Sequence, residues 1–373
     1  MAFSMKTIMD QVIPRAGVHK DLVTVLNPEV APKPTLKTTS APANTSEYVL
    51  YWMSSTARTE QNPSYEIAKA LANFAKLPLV VAFVVDLNRF QRFSKRHILF
   101  LLQGVQEVET GVKGEGGSFV LKFDPKEKET GVGGLNLLGS VDGSIIGYTS
   151  KAWAIVADKV YVRDDRIRAE RVLKAAGCPY IEVESKLVVP LQVAMGDMTP
   201  EHFPETQVFL EKFHDLAQPY LKPQVSTPLE NKATPELEKR ISKMGYCFDE
   251  DGVTATWGVK DWLETKDILE SLLDMNGVNV QIPDVAHSMK GGYHSAKKLV
   301  GMFIVKKFKG YSNKLSQEGL RLRSEYGSML SNYLTHGFIS PVEVLLDCVK
   351  SSPTDEDLNA FFKSIGRRDL AFA

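Results

Sequence analysis

Between residues 290 and 323 the sequence holds nine basic side chains: Lys290, Lys297, Lys298, Lys306, Lys307, Lys309, Lys314, Arg321 and Arg323. Glu318 is the one acid in that span, which leaves a local balance of +8. Cations at this density suit the phosphates of a nucleic acid, with an affinity that falls as salt rises. An ordinary solvated helix face has the same composition. A second chemical signal is Gly327-Ser328-Met329-Leu330-Ser331-Asn332-Tyr333-Leu334. A glycine and small hydroxyl residues beside a helix start can turn backbone N–H groups toward a phosphate. Serine-rich caps are also common as purely structural features.

Other signatures are missing from the sequence. It has no Walker loop, no GxSxG elbow and no HExxH pair. The clusters Gly114, Gly116, Gly117 and Gly131, Gly133, Gly134 do not stand between a strand and a helix, and read as loop glycines. The seven histidines are scattered, His336 among them. Cys178, Cys247 and Cys348 lie far apart without a CxxC pair, as reduced thiols of an intracellular protein do, and no metal is expected.

The elements that position these residues follow from periodicity. The 373-residue length suits two domains, and the formal net charge of zero means that any pull on nucleic acid is local. No apolar run has the length of a membrane span. Residues 1–46, rich in Pro, Thr, Ser and Ala from 27 onward, are expected to be a disordered leader. Tyr48 to Met53, Leu77 to Val85, Ser118 to Phe123, Trp153 to Ala157 and Pro179 to Val183 read as buried strands. Between them lie helical patterns, one after Asn62-Pro63 with Ile67, Ala70, Leu71 and Phe74 on a face, and one from Lys95. A third carries Ile167, Arg171 and Leu173 and stops at Gly177. Residues 124–149 are expected to form a loop insertion. The fold class predicted is thus α/β, a doubly wound parallel sheet over 47–190. A connector over 191–231 and an all-helical domain over 232–373 complete it. In that domain Ala296, Leu299, Val300, Phe303, Ile304 and Phe308 make one apolar stripe, and Thr354 caps a helix opened by Asp355, Glu356 and Asp357.

The run LSNYLTHGFIS, Leu330 to Ser340, resembles the flavin-lining block of the DNA photolyases and cryptochromes, which in the class II branch reads nearly Leu-Ser-Pro-Tyr-Leu-x-x-Gly-x-x-Ser. Further class II-like blocks stand in order. They are Tyr51-Trp52-Met53-Ser54, Leu77-Pro78-Leu79, Glu182-Val183 with Val188-Val189-Pro190, Gly291-Gly292, Phe303-Ile304, Tyr311 and Arg367-Arg368-Asp369-Leu370-Ala371. The resemblance spans roughly residues 48 to 371. It implies an α/β domain that holds an antenna chromophore of folate or deazaflavin type, and a helical domain that holds FAD. It also implies light-driven splitting of pyrimidine dimers in UV-damaged duplex DNA. Carried over by position, Tyr311, Ser328, Met329, Leu330 and Ser331 would contact the flavin phosphates and ribityl chain, with Arg367 near the flavin. Lys297, Lys298, Lys306, Lys307 and Lys309 would approach the DNA backbone.

The sequence departs from the family pattern at several positions. Lys363, with Ser364 beside it, stands where the family has a glutamate that contacts the damaged bases, and an ammonium has no acceptor to offer. Asn332 replaces a proline, Ser55-Thr56 replaces Arg-Asp, and Gln61-Asn62 replaces Asp-Asn, while Arg58 is kept. The sequence ends at Ala373, where family members continue through more helices, so an incomplete flavin domain is expected. Trp52, Trp153, Trp257 and Trp262 match no electron-relay position and are expected to be packing residues.

Overall fold

The computed structural model describes residues 4–33, 45–87, 93–124, 143–196, 206–244, 256–282, 289–315, 326–351 and 354–371. The chain opens with α1 (Met5–Ala16) and β1 (Val23–Val25), then β2 (Tyr48–Met53), α2 (Pro63–Ala75), β3 (Leu79–Asp86), α3 (Lys95–Gly114) and β4 (Ser118–Asp124). It continues through α4 (Gly143–Thr149), β5 (Ala152–Asp158), α5 (Arg163–Ala175) and β6 (Tyr180–Val183). After these come α6 (Leu191–Met195), α7 (Thr206–Ala217), α8 (Pro235–Ser242), α9 (Val259–Glu264), α10 (Lys266–Met275) and α11 (Tyr293–Phe303). The last are α12 (Tyr311–Leu315), α13 (Ser331–Thr335), α14 (Pro341–Lys350) and α15 (Asp355–Leu370).

The six strands form one sheet in the order β1-β6-β5-β2-β3-β4. All pairs are parallel except β1 with β6. Strands β2, β4 and β5 are buried at every position because helices cover both faces. Alternate residues feed two cores. Val49, Tyr51, Met53, Val81 and Phe83 face the side packed with α1, α2 and α3. Leu50, Trp52, Val80, Ala82 and Val84 face α4, α5 and α8. The first core runs without a break into the helical region, through Phe303, Tyr311, Phe338 and Phe361. An α/β layer followed by helices is therefore the observed architecture, as periodicity predicts.

Three expectations are corrected. Residues 4–33, expected within a disordered leader, carry α1 and β1. Met5, Ile8, Met9, Val12 and Ala16 bury one face of α1 against α2, and Ser4 caps its start, accepting from Thr7 N–H. Strand β1 then adds to β6 through Val23, Thr24 and Val25, so burial and ladder bonds replace the flexibility that the proline content suggested. The expected connector holds α7, whose Phe209, Leu210 and Phe213 are buried and which packs on α15. The expected loop insertion ends in α4, where Ile145 and Tyr148 enter the second core. The rest of that insertion, with Gly131, Gly133 and Gly134, lies outside the described residues, as do Cys247, Arg321 and Arg323.

Candidate functional site

Strands β2 and β5 are neighbours, yet the chain leaves β2 toward β3 and leaves β5 toward β6 on the other side. Their carboxyl ends are the point where the winding reverses and a crevice opens. A carboxylate holds this point together. Asp158, the last residue of β5, accepts the N–H groups of Ser54, Ser55 and Thr56 on one oxygen, at 3.0, 2.9 and 3.1 Å. Its other oxygen accepts the Tyr51 hydroxyl at 2.7 Å. Burial, and then the charge of Asp158, push the Tyr51 hydroxyl well above its ordinary pKa, so it stays a proton donor.

Beside this knot lies a cavity of about 280 Å3. Its walls come from the ends of three strands, through Trp52, Ser55, Phe83, Val85, Asp86 and Asp158, and from His97 and Leu101 of α3. Arg168 and Ala169 of α5 and Lys186 also line it, and Asn332, Thr335 and His336 of the Leu330–Ser340 run close it from the helical side. The Arg168 guanidinium lies 5.5 Å from the Trp52 ring and pairs with Asp124 at 2.9 Å. Two covered polar atoms of residues in this wall, Trp52 Nε1 and Ser55 Oγ, have no hydrogen-bond partner among the described residues.

Arg58 ties the two halves together. Its fully buried guanidinium donates to the carbonyls of Gly337 at 2.9 Å, Ser185 at 2.6 Å and Gln61 at 3.1 and 3.3 Å. Burial lowers its pKa, an effect that the nearby Tyr51, Asp158 and Glu343 oppose. A second joint joins α15 to the segment after β6. Asp369 accepts the Val188 N–H at 2.8 Å and pairs with Arg368 at 2.7 Å. Burial raises the Asp369 pKa to about 7; Arg368 and the Val188 N–H oppose this, and the buried Glu184 adds to it.

The residues assigned to flavin by resemblance are not gathered around one enclosed space. Tyr311 is buried in an aromatic cluster, with ring centroids 5.4 Å from Phe303 and 5.7 Å from Phe361. Leu330 is buried, Ser328 is half-buried, and Met329, Ser331 and Arg367 are exposed. Met329 has φ +59°, a left-handed conformation that β-carbon-bearing residues seldom adopt. None of these six residues lines the cavity at the switch point. Among the described residues, the set offers hydroxyls at the start of α13 and a buried aromatic cluster at Tyr311.

The basic helix divides in the same way. Lys297 is bound to Glu343 at 2.6 Å and to Asp347. Burial alone would lower its pKa, but the two carboxylates raise it, so this half-exposed ammonium is held charged by partners within the fold. Lys307 is half-buried and donates to the Gly327 carbonyl at 3.3 Å. Lys298 of α11, Lys306 of the π turn Ile304–Phe308 that extends it, and Lys309 just after that turn are exposed. Trp153 packs on Phe74, and Trp257 and Trp262 pack on each other, as expected of packing residues. Trp52 differs, because it also lines the cavity. Sequence reasoning missed Asp158 and Arg168 altogether; the one signal was an acid closing an apolar run.

Fold and site together define an α/β protein with a ligand crevice at its topological switch point, closed by a helical region. Residues 49–228 match the family model for DNA photolyase. Over that region the chain is similar to the DNA photolyase family. It is 26% identical over 330 residues to the deoxyribodipyrimidine photo-lyase of Methanothermobacter thermautotrophicus, covering 87% of this chain and 60% of that protein. A bacterial class III photolyase from Agrobacterium tumefaciens shares the fold with TM-score 0.56 at 14% identity, over 90% of this chain and 60% of the other. A Synechocystis cryptochrome gives TM-score 0.56 at 13% identity, over 90% and 62%. The chain thus spans about 60% of the length of these relatives.

Proposed function

We propose that this protein is a photolyase-type, light-responsive protein of the class II branch, directed to UV-damaged DNA. The observation that carries this reading is the cavity at the switch point, built jointly by the strand ends and the Leu330–Ser340 run. Partly open, with an apolar floor and many polar and charged side chains around it, it suits an antenna chromophore of the folate or deazaflavin type that the family resemblance implies. The class II placement is supported by the blocks Tyr51-Trp52-Met53-Ser54 and Leu330 to Ser340. Exposed Lys298, Lys306 and Lys309 supply cations for the DNA backbone.

A second reading, recognition of DNA without repair, is favoured by two observations. Lys363 stands in place of the base-contacting carboxylate, and the residues assigned to FAD form no enclosed seat for it. FAD, as the redox cofactor, would supply the electron that splits a dimer. The test is the visible absorption spectrum of the purified protein with and without added FAD, followed by illumination with dimer-containing DNA. Bound flavin and light-dependent loss of dimers support the first reading. A protein that refuses FAD and leaves dimers intact supports the second.

A further inference from the structure

A second cavity, of about 190 Å3, shares no residue with the one at the switch point. It lies where the segment before β1, the residues after β6, the 219–224 stretch and the start of α14 meet. Pockets for drug-sized ligands run roughly from 300 to 1,000 Å3, so this one holds only a small group.

One wall is the N-terminus of α14, a helix of 10 residues. Pro341 has no N–H there, and the Val342 and Glu343 N–H groups precede the first helical bond, Val344 N–H to the Ser340 carbonyl. Ser340, the N-cap residue, is 4% exposed and lines the cavity. Its hydroxyl makes no capping bond and no other hydrogen bond among the described residues. Unlike Trp52 Nε1 and Ser55 Oγ it is not fully covered, so it opens on the cavity. A buried hydroxyl without a partner is costly, and an acceptor on a ligand offsets that cost. First-turn N–H groups and the helix dipole favour a negative acceptor.

Charges of both signs surround the cavity. Exposed Lys222 lines it and is in no ion pair among the described residues. The Arg58 guanidinium stands behind the wall, bonded to the carbonyls of the lining residues Gln61 and Ser185. Buried Glu184 also lines it, but both its oxygens are engaged. One accepts the Lys186 and Leu187 N–H groups at 2.8 and 2.9 Å, the other the Tyr161 hydroxyl. Asp369, behind Val188, is paired with Arg368, and Asp21 near the rim with His19 at 3.6 Å. The carboxylates are thus occupied, and the open groups are donors.

We propose that this cavity binds a small oxyanion of the phosphate class, held by Ser340 Oγ, the first-turn N–H groups of α14 and the Lys222 ammonium. The site is independent of the chromophore, flavin and DNA readings.

The full chain is titrated calorimetrically with inorganic phosphate and with glycerol 3-phosphate, at an ionic strength held constant with chloride. Saturable binding of inorganic phosphate at one equivalent is expected. Tighter binding of the ester would assign the site to the phosphate end of a larger molecule, and weaker binding to the free ion; either supports the proposal. Ser340→Ala is expected to weaken phosphate about five- to tenfold at unchanged melting temperature in phosphate-free buffer, because the hydroxyl caps nothing. Lys222→Gln is expected to weaken it about two- to fivefold. No saturable binding of phosphate, or an affinity that Ser340→Ala leaves unchanged, overturns the proposal. A matching loss in Lys298→Gln would assign the phosphate to the basic helix and overturns it too.

Discussion

Arg58 and Asp357 show how single buried charges organise this chain. Arg58 spends its donors on three backbone carbonyls from separate segments, Gln61, Ser185 and Gly337. A lysine presents its three donors from one point and cannot span them. Arg58→Lys is expected to cost about 2–4 kcal/mol, read as a lower urea midpoint. Burial alone would raise the pKa of Asp357, but the Ser312 and Gly310 N–H groups and the Ser312 and Thr354 hydroxyls hold it below its ordinary value. Its stabilisation is therefore present above the unfolded value near 3.9 and is lost as pH falls through the lower folded value. Asp357→Asn should flatten the acid side of the stability–pH curve; an unchanged slope contradicts this. Residues of this kind were only partly legible in the sequence. Arg58 stood out because a family block keeps it, whereas Asp158 acts across 102 to 104 residues of sequence on the Ser54–Thr56 N–H groups, a separation no local pattern encodes. The partners of Lys297, Glu343 and Asp347, were hidden for the same reason: they come from another helix.

Strands were legible where burial on both faces makes a continuous apolar run, as in β2, β3, β4 and β5. Helix α1 carried its signal too, in Met5, Ile8, Met9 and Val12 at helical spacing, but the proline-rich stretch after it masked the pattern. Strand β1 has three half-buried residues and owes its existence to β6, so nothing local announces it. Seams between elements depend on glycine at a few places. Gly337, at φ +69°, turns the chain between α13 and α14 where an added Cβ would stand 2.4 Å from the Ser55 carbonyl oxygen. Gly337→Ala is expected to cost about 3 kcal/mol or more, because strained backbone and a clash with main chain act together. Thermal unfolding reads this loss; a melting temperature unchanged within a degree or so would show that the seam is looser than described.

At the scale of the whole molecule, the proposed contact with DNA rests on how a chain of zero net charge distributes its cations. Formal net charge is zero, and among the lysines of the basic helix Lys297 is paired with carboxylates while Lys298, Lys306 and Lys309 are exposed. The excess of basic residues was legible in the sequence; which of them are free was not, since pairing is set by tertiary packing. The most direct measurement is the affinity for a UV-irradiated duplex and for its unirradiated twin across a range of salt concentrations. The account predicts tighter binding to the irradiated duplex, with log affinity falling linearly against log salt. Replacing Lys298, Lys306 and Lys309 together by Gln should make that slope shallower by about 2–3. Equal, salt-insensitive binding to both duplexes would contradict it.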